Sequence, residues 1–136
     1  MALQLVWFKR DLRVNDHRPL QQALLRGPVL PLYVIEPELW QQRDASERQW
    51  FFCRESLLDL RKALAELGQP LLVRSGDVLE VFERAHRQFG LDGLWSHEET
   101  GNGWTYQRDQ RVALWCRQHG IAWREIPQFG VIRRLR

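Results

Sequence analysis

Cysteine is scarce in this chain: only Cys53 and Cys116 occur, far apart and without metal-ligand spacing. That argues against a disulfide framework and a cysteine-based metal site, and makes reduced thiols in a cytoplasmic protein the default. No apolar run approaches the length of a membrane span. No basic segment leads into an apolar stretch with a cleavage site, so a soluble, unexported protein is expected. There is no Gly-x-Ser-x-Gly elbow, no phosphate loop and no His-Glu-x-x-His, and His97-Glu98-Glu99 lacks the spacing of a metal-ligand set. A hydrolase or transferase therefore has no signature here, and no metal is expected. Lysine is also rare, since of 20 basic side chains only Lys9 and Lys62 are lysines. Arg133, Arg134 and Arg136 supply the whole net charge of +3, so the body of the chain is balanced and direct nucleic-acid contact is a minority reading.

What is present is organised around Leu3–Leu20. Leu3 to Phe8 is an almost unbroken apolar run, which suits a strand buried on both faces of a parallel sheet. It ends abruptly in Lys9-Arg10-Asp11-Leu12-Arg13, at the sheet edge where open α/β folds build ligand crevices. That turn contains no glycine, so it cannot form the backbone cradle of a dinucleotide site. A helix follows, with Asn15 or Asp16 expected as N-cap and Pro19 in its first turn.

The 136 residues fit one domain and continue in alternating apolar runs and amphipathic stretches. Val29–Ile35 reads as a second buried strand with Pro31 near its start, and Glu38–Ala45 as a loop over the same sheet edge. Ser46 and Gln49 form a capping-box pattern for a helix carrying Trp50, Cys53, Leu57, Leu60, Leu64 and Leu67 in one stripe. Phe51 and Leu58 widen that stripe, and Gly68 ends it. Arg48, in the first turn, is placed where a guanidinium and free N–H groups make an anion site. Leu71–Val73 is a third strand. Asp77 and Glu80 cap a helix whose apolar face is Val78, Val81, Phe82, Ala85 and Phe89. Leu94-Trp95 lies in a fourth strand leading into the polar stretch Ser96–Gly103, Trp104–His119 is a helix, and Ile121–Ile126 a fifth strand. The expected fold is α/β: a doubly wound, Rossmann-like, five-stranded parallel sheet of order 3-2-1-4-5 with helices on both faces.

Trp7-Phe8-Lys9-Arg10-Asp11-Leu12-Arg13-Val14-Asn15-Asp16 resembles the opening motif of the DNA photolyase and cryptochrome family. Arg48-Gln49 with Glu55–Leu60 is similar to that family's second helix, Gly68–Asp77 to its third-strand segment, and Tyr106-Gln107-Arg108-Asp109 to its Arg-Asp helix start. The resemblance covers the family's N-terminal α/β domain, here residues 1–126. Residues 127–136 resemble the start of the interdomain linker, so the chain reads as the front part of a longer protein.

The resemblance implies that the longer protein carries a helical C-terminal domain holding FAD and receiving damaged DNA. It implies a deoxyribodipyrimidine photolyase, a carbon–carbon lyase that uses light to repair pyrimidine dimers. The alternative is a cryptochrome-like blue-light photoreceptor without repair. This chain alone is not expected to be catalytic; its share would be to hold a light-harvesting antenna chromophore. Candidate residues around such a slot are Phe8, Lys9, Arg10, Ile35, Glu36, Arg48, Phe52, His97, Glu98, Asn102 and Trp104. Arg48 matches a family arginine that lines the antenna pocket. For Arg10 and Arg13, structural ion pairs with Asp11 or Glu36 are the expectation, and His97 reads as a satisfied structural histidine ahead of a ligand. Where folate-binding members carry an Asn-Glu pair, this chain has Trp104-Thr105. The implied antenna is therefore a flavin type, 8-hydroxydeazaflavin or FMN, ahead of folate, unless Trp104 fills the slot itself. Trp7, Trp50, Trp95, Trp115 and Trp123 are expected in the core. Phe129, Val131, Ile132 and Leu135 would leave part of an interface open to the C-terminal FAD-binding domain or to self-association.

Overall fold

A computed structural model describes residues 3–40, 47–99 and 103–127, with residues 47–52 as backbone only. Ten elements alternate along the chain: β1 (Leu3–Phe8), α1 (Arg18–Arg26), β2 (Val29–Ile35), α2 (Pro37–Trp40), α3 (Glu47–Glu66), β3 (Leu72–Ser75), α4 (Val78–Phe89), β4 (Leu91–His97), α5 (Gly103–His119) and β5 (Ala122–Ile126). The five strands form one parallel sheet in the order β3-β2-β1-β4-β5. This is the doubly wound topology expected from the sequence.

The unbroken apolar run of β1 follows from its central place, because successive side chains leave a strand on opposite faces and both faces are covered. Leu5 and Trp7 point to the side packed by α4 and α5, with Phe82, Val112 and Trp115. Val6 and Phe8 point to the side packed by α1 and α3, with Leu20, Ala23, Leu60 and Leu64. Pro31 sits in β2 where only β1 pairs with it, since the β3 register begins at Leu32. Its missing N–H therefore costs no ladder bond on the β3 side.

Several local expectations are corrected. The N-cap of α1 is His17, whose Nδ1 accepts the Leu20 N–H at 3.1 Å, and not Asn15 or Asp16. Asp16 instead takes a left-handed φ of 57° in the turn before it. Part of the expected loop after β2 is the one-turn α2, begun by Pro37 in a first helical turn that has no use for its N–H. Leu58, Leu67 and Phe89 lie outside the apolar faces assigned to them and are exposed. The strand β3 runs Leu72–Ser75, with Leu71 buried in the core just before it. Asp77 and Gly90 bound α4 as expected: the Asp77 carboxylate accepts from the N–H groups of Leu79 and Glu80, and Gly90 takes a left-handed φ of 73°. The expectations for Ser46, Gln49, Trp50 and Phe51, and for Phe129 to Leu135, fall outside what is described.

The sheet is pinned at its opposite, N-terminal edge by a small buried polar lock. Gln4 is 1% exposed, accepts the Trp95 indole N–H at 2.7 Å and donates to Asp92 at 3.1 Å. A Cβ on Gly93 would lie 2.5 Å from the Gln4 side-chain oxygen, so this β4 position has no room for a larger residue.

Candidate functional site

The C-terminal ends of β1, β2 and β4, the short α2 and the first turns of α5 converge on one edge of the sheet. Two groups of buried polar side chains stand there.

The first is a clamp. The Asp11 carboxylate accepts the Lys9 N–H at 2.9 Å on one oxygen; on the other it meets His17 Nε2 at 2.5 Å and His97 Nδ1 at 2.6 Å. All three residues are buried, and the two imidazoles contact edge to face. Burial by itself would raise the Asp11 pKa. The hydrogen bonds from His17, His97 and the Lys9 N–H overcome it and hold the carboxyl far below the usual range. Burial pushes the His17 imidazole below its ordinary value, against the pull of Asp11.

These three side chains also lie close enough to be considered as metal ligands. Proton bookkeeping argues against it. A neutral imidazole has one lone pair, and that of His17 is engaged at Nδ1 by the Leu20 N–H. Its Nε2 therefore carries a hydrogen and donates to Asp11. The clamp ties the β1 exit turn to the start of α1 and the end of β4.

The second group is an ion cluster centred on Arg108, which α5 carries into the edge. Its guanidinium is 2% exposed and donates to Glu36 at 2.9 Å, to Asp109 and, through a very short contact, to Glu99. Lys9 Nζ, 4% exposed, lies 3.5 Å from Asp109 and 3.7 Å from Glu99. The exposed Arg10 reaches Glu99 at 3.3 Å. Three carboxylates thus share two buried cations and one exposed one. Burial is the main reason that the Glu36 pKa is pushed up to about 7; Arg108 opposes the rise and Glu99 adds to it. The Arg108 pKa moves up in the field of its three carboxylates, although burial pulls the other way.

Above this cluster lies Trp104, half-buried, with its ring 5.7 Å from the Arg108 guanidinium and its indole N–H donating to Glu38 of α2 at 3.3 Å. On the inner side Arg108 and Lys9 lie 4.8 Å and 4.3 Å from the ring centre of Trp7, and Lys9 lies 5.6 Å from that of Trp123.

Of the residues singled out in the sequence, Lys9, Arg10, Glu36 and Trp104 are brought together around Arg108. His97 is in the clamp. Glu98 is half-buried, and its N–H donates to the Ile126 carbonyl at 2.8 Å. Phe8 and Ile35 point to the α1/α3 side, Phe8 with its ring centre 4.6 Å from that of His17. Asn102 and the side chains of Arg48 and Phe52 lie outside the described residues. The expected ion pairs of Arg10 and Arg13 with Asp11 or Glu36 are replaced. Asp11 is taken by histidines and Glu36 by Arg108, while Arg13 donates to the carbonyls of Asn15 and Asp16. His17, Glu99, Arg108 and Asp109 were not among the candidates. The Arg108-Asp109 pair, in the second turn of α5, is the available signal for two of them.

The family model for DNA photolyase matches residues 4–130. The chain belongs to the DNA photolyase family. It is 34% identical over 117 residues to a cryptochrome DASH from Gloeobacter violaceus, covering 81% of this chain and 23% of that protein. To the deoxyribodipyrimidine photo-lyase of Salmonella typhimurium it is 45% identical over 74 residues, covering 53% of this chain and 16% of that one. Among solved structures it resembles a photolyase from Sulfolobus tokodaii with a TM-score of 0.80 and 26% identity, over 93% of this chain and 29% of that one. That protein is described with two FAD molecules and the implication of a novel light-harvesting cofactor. The chain thus spans less than a quarter of the length of these curated photolyase-family relatives. Among the described residues no helix is long and apolar enough to cross a membrane.

Proposed function

We propose that this chain is the antenna-binding portion of a photolyase-type flavoprotein: it holds a flat, flavin-type chromophore, 8-hydroxydeazaflavin or FMN, at the C-terminal edge of its sheet. The observation that carries the reading is the half-buried indole of Trp104 laid over a buried guanidinium, beside the carboxylates of Glu38 in α2 and of Glu36 just after β2. That combination of an aromatic wall and fixed polar groups suits a planar ring with polar edges. When bound, such a ring absorbs light and passes excitation on. The chain's own residues bind and orient it: Trp104 by stacking, Glu38 and Glu36 by hydrogen bonding, and Arg48 as a candidate contact. Residues 1–126 form the chromophore domain, and residues 127–136 begin a linker to a C-terminal FAD-binding domain.

In the longer protein, light-driven repair of pyrimidine dimers would follow in that FAD-binding domain, which would meet damaged DNA. The 45% identity to a photo-lyase supports repair. A photoreceptor without repair is the second reading, supported by the longer match to a cryptochrome DASH.

Adding FMN, 8-hydroxydeazaflavin and a folate separately to the purified chain, and following absorbance and fluorescence, tests this. Saturable binding of a flavin type, weakened by Arg48→Ala, supports the reading. Binding of none of the three, or of folate alone, overturns it.

A further inference from the structure

A chromophore that collects light must keep its excited state until the energy is passed on, and an indole beside it is a hazard. Photoexcited flavins are strong oxidants. One electron leaving an indole for the excited ring oxidises the indole and reduces the ligand; its return restores both and releases the excitation as heat. The candidate crevice is rich in indoles. Trp7, 1% exposed, lies beneath the Lys9 and Arg108 cations, Trp123 packs 6.1 Å from Trp7, and Trp104 lies over the Arg108 guanidinium.

Each of these three rings carries a buried cation against it. Lys9 Nζ lies 4.3 Å from the centre of Trp7 and 5.6 Å from that of Trp123, and the Arg108 guanidinium lies 4.8 Å from Trp7 and 5.7 Å from Trp104. A cation over an indole face is attracted to the neutral ring and repelled by the positively charged ring that electron loss would leave. The side chains of Lys9 and Arg108 are 4% and 2% exposed, so water screens this little. Glu36, Glu99 and Asp109 pair with the two cations and reduce the effect. At Trp7 and Trp123 they do not cancel it, because there the cations are the charged groups facing the rings and the field falls with distance. At Trp104 the Glu38 carboxylate, 3.3 Å from the indole nitrogen, lies nearer than the Arg108 guanidinium and offsets it.

We propose that Lys9 and Arg108 are electrostatic guards of the excited state: by lying over Trp7 and Trp123 they make these buried indoles poor electron donors to a flavin-type ligand bound at this edge of the sheet. Resting on the function proposed above, this gives two buried cations a role beyond pairing with carboxylates. It also explains how Trp7 and Trp123 can lie beneath a light-harvesting site without draining it.

The test is the fluorescence lifetime of FMN bound to the chain. Lys9→Met, which removes the charge and keeps the length, should shorten the lifetime by about twofold or more. Lys9→Arg should hold it near the starting value, and Trp7→Phe added to Lys9→Met should recover most of the loss. Trp7→Phe alone should leave the lifetime unchanged, because Trp7 is already silent. An unchanged lifetime in Lys9→Met overturns the guard role while leaving the binding site intact. A lifetime lengthened by Trp7→Phe alone overturns it too, and does not require Lys9→Met to fold. Failure of FMN and of 8-hydroxydeazaflavin to bind at all removes the proposed function and the guard role together.

Discussion

His17 Nε2 and Asp11 Oδ2 stand 2.5 Å apart across a buried turn, with the other nitrogen of the same imidazole capping α1. One side chain thereby fixes both the exit of the central strand and the start of the helix after it. Asp11→Asn leaves one acceptor oxygen where two serve the Lys9 N–H and two imidazoles, puts an NH2 donor in place of the other, and should cost about 2–4 kcal/mol in urea unfolding. Both partners give the fold the same acid sensitivity. The carboxyl is depressed, so its stabilisation is present above its ordinary value of 3.8 and is lost as pH falls below it. His17 is depressed from 6.5, so the unfolded chain takes up its proton first and stability falls as pH drops below that value. The acid limb of the stability curve below pH 3.8 should flatten in Asp11→Asn.

Glu36 acts in the opposite direction. Its folded pKa is raised from 4.5 to about 7, so its contribution is full below pH 4.5 and declines as pH rises to about 7. Glu36→Gln mimics the protonated form. Its stability relative to the parent chain should rise by on the order of 2–3 kcal/mol between pH 4.5 and pH 8. Chemical denaturation of both proteins at the two pH values checks this; a parallel pair of curves would contradict it.

Gly93→Ala should destabilise by about 1–3 kcal/mol, because its new carbon meets a Gln4 side chain that cannot swing away without releasing Trp95 and Asp92. Pairing it with Gln4→Ala should cost less than the sum of the two single changes. Thermal unfolding of the four proteins of the cycle measures the coupling.

Trp104→Ala should weaken FMN binding by about two- to tenfold, the worth of one aromatic stacking contact, while shifting stability by less than about 1 kcal/mol at this half-buried position. Titration followed by flavin fluorescence, alongside urea unfolding, separates the two effects. Unchanged affinity would remove Trp104 from the binding wall.

The fold was legible because its signals are local and redundant. The apolar run Leu3–Phe8 can be read as a strand with two covered faces, and Asp77 and Gly90 bracket α4 by their own backbone preferences. The ion cluster was less so. Lys9 and Asp109 meet across a hundred residues, and nothing near either one in sequence names the other. Local sequence points to the wrong cap for α1, because two good capping residues, Asn15 and Asp16, precede the histidine that accepts the Leu20 N–H. The deciding partner, Asp11, is set by the geometry of the turn. Leu58, at the flank of its stripe, and Phe89, the last residue of α4, show the complementary error, since pattern alone assigns an apolar residue inward while the neighbouring elements decide whether it is covered.

The central strand of the sheet is also the first to be synthesised. β1 can zip onto β2 early, but its other edge waits for β4, which is complete only at His97. Throughout that interval a nascent chain on the ribosome presents one open, strongly apolar β-edge, a template for pairing with the wrong neighbour. Slowing translation before Leu91 should therefore lower the yield of folded protein, and a trigger-type chaperone should matter more for this sheet than for one built outward from a late strand.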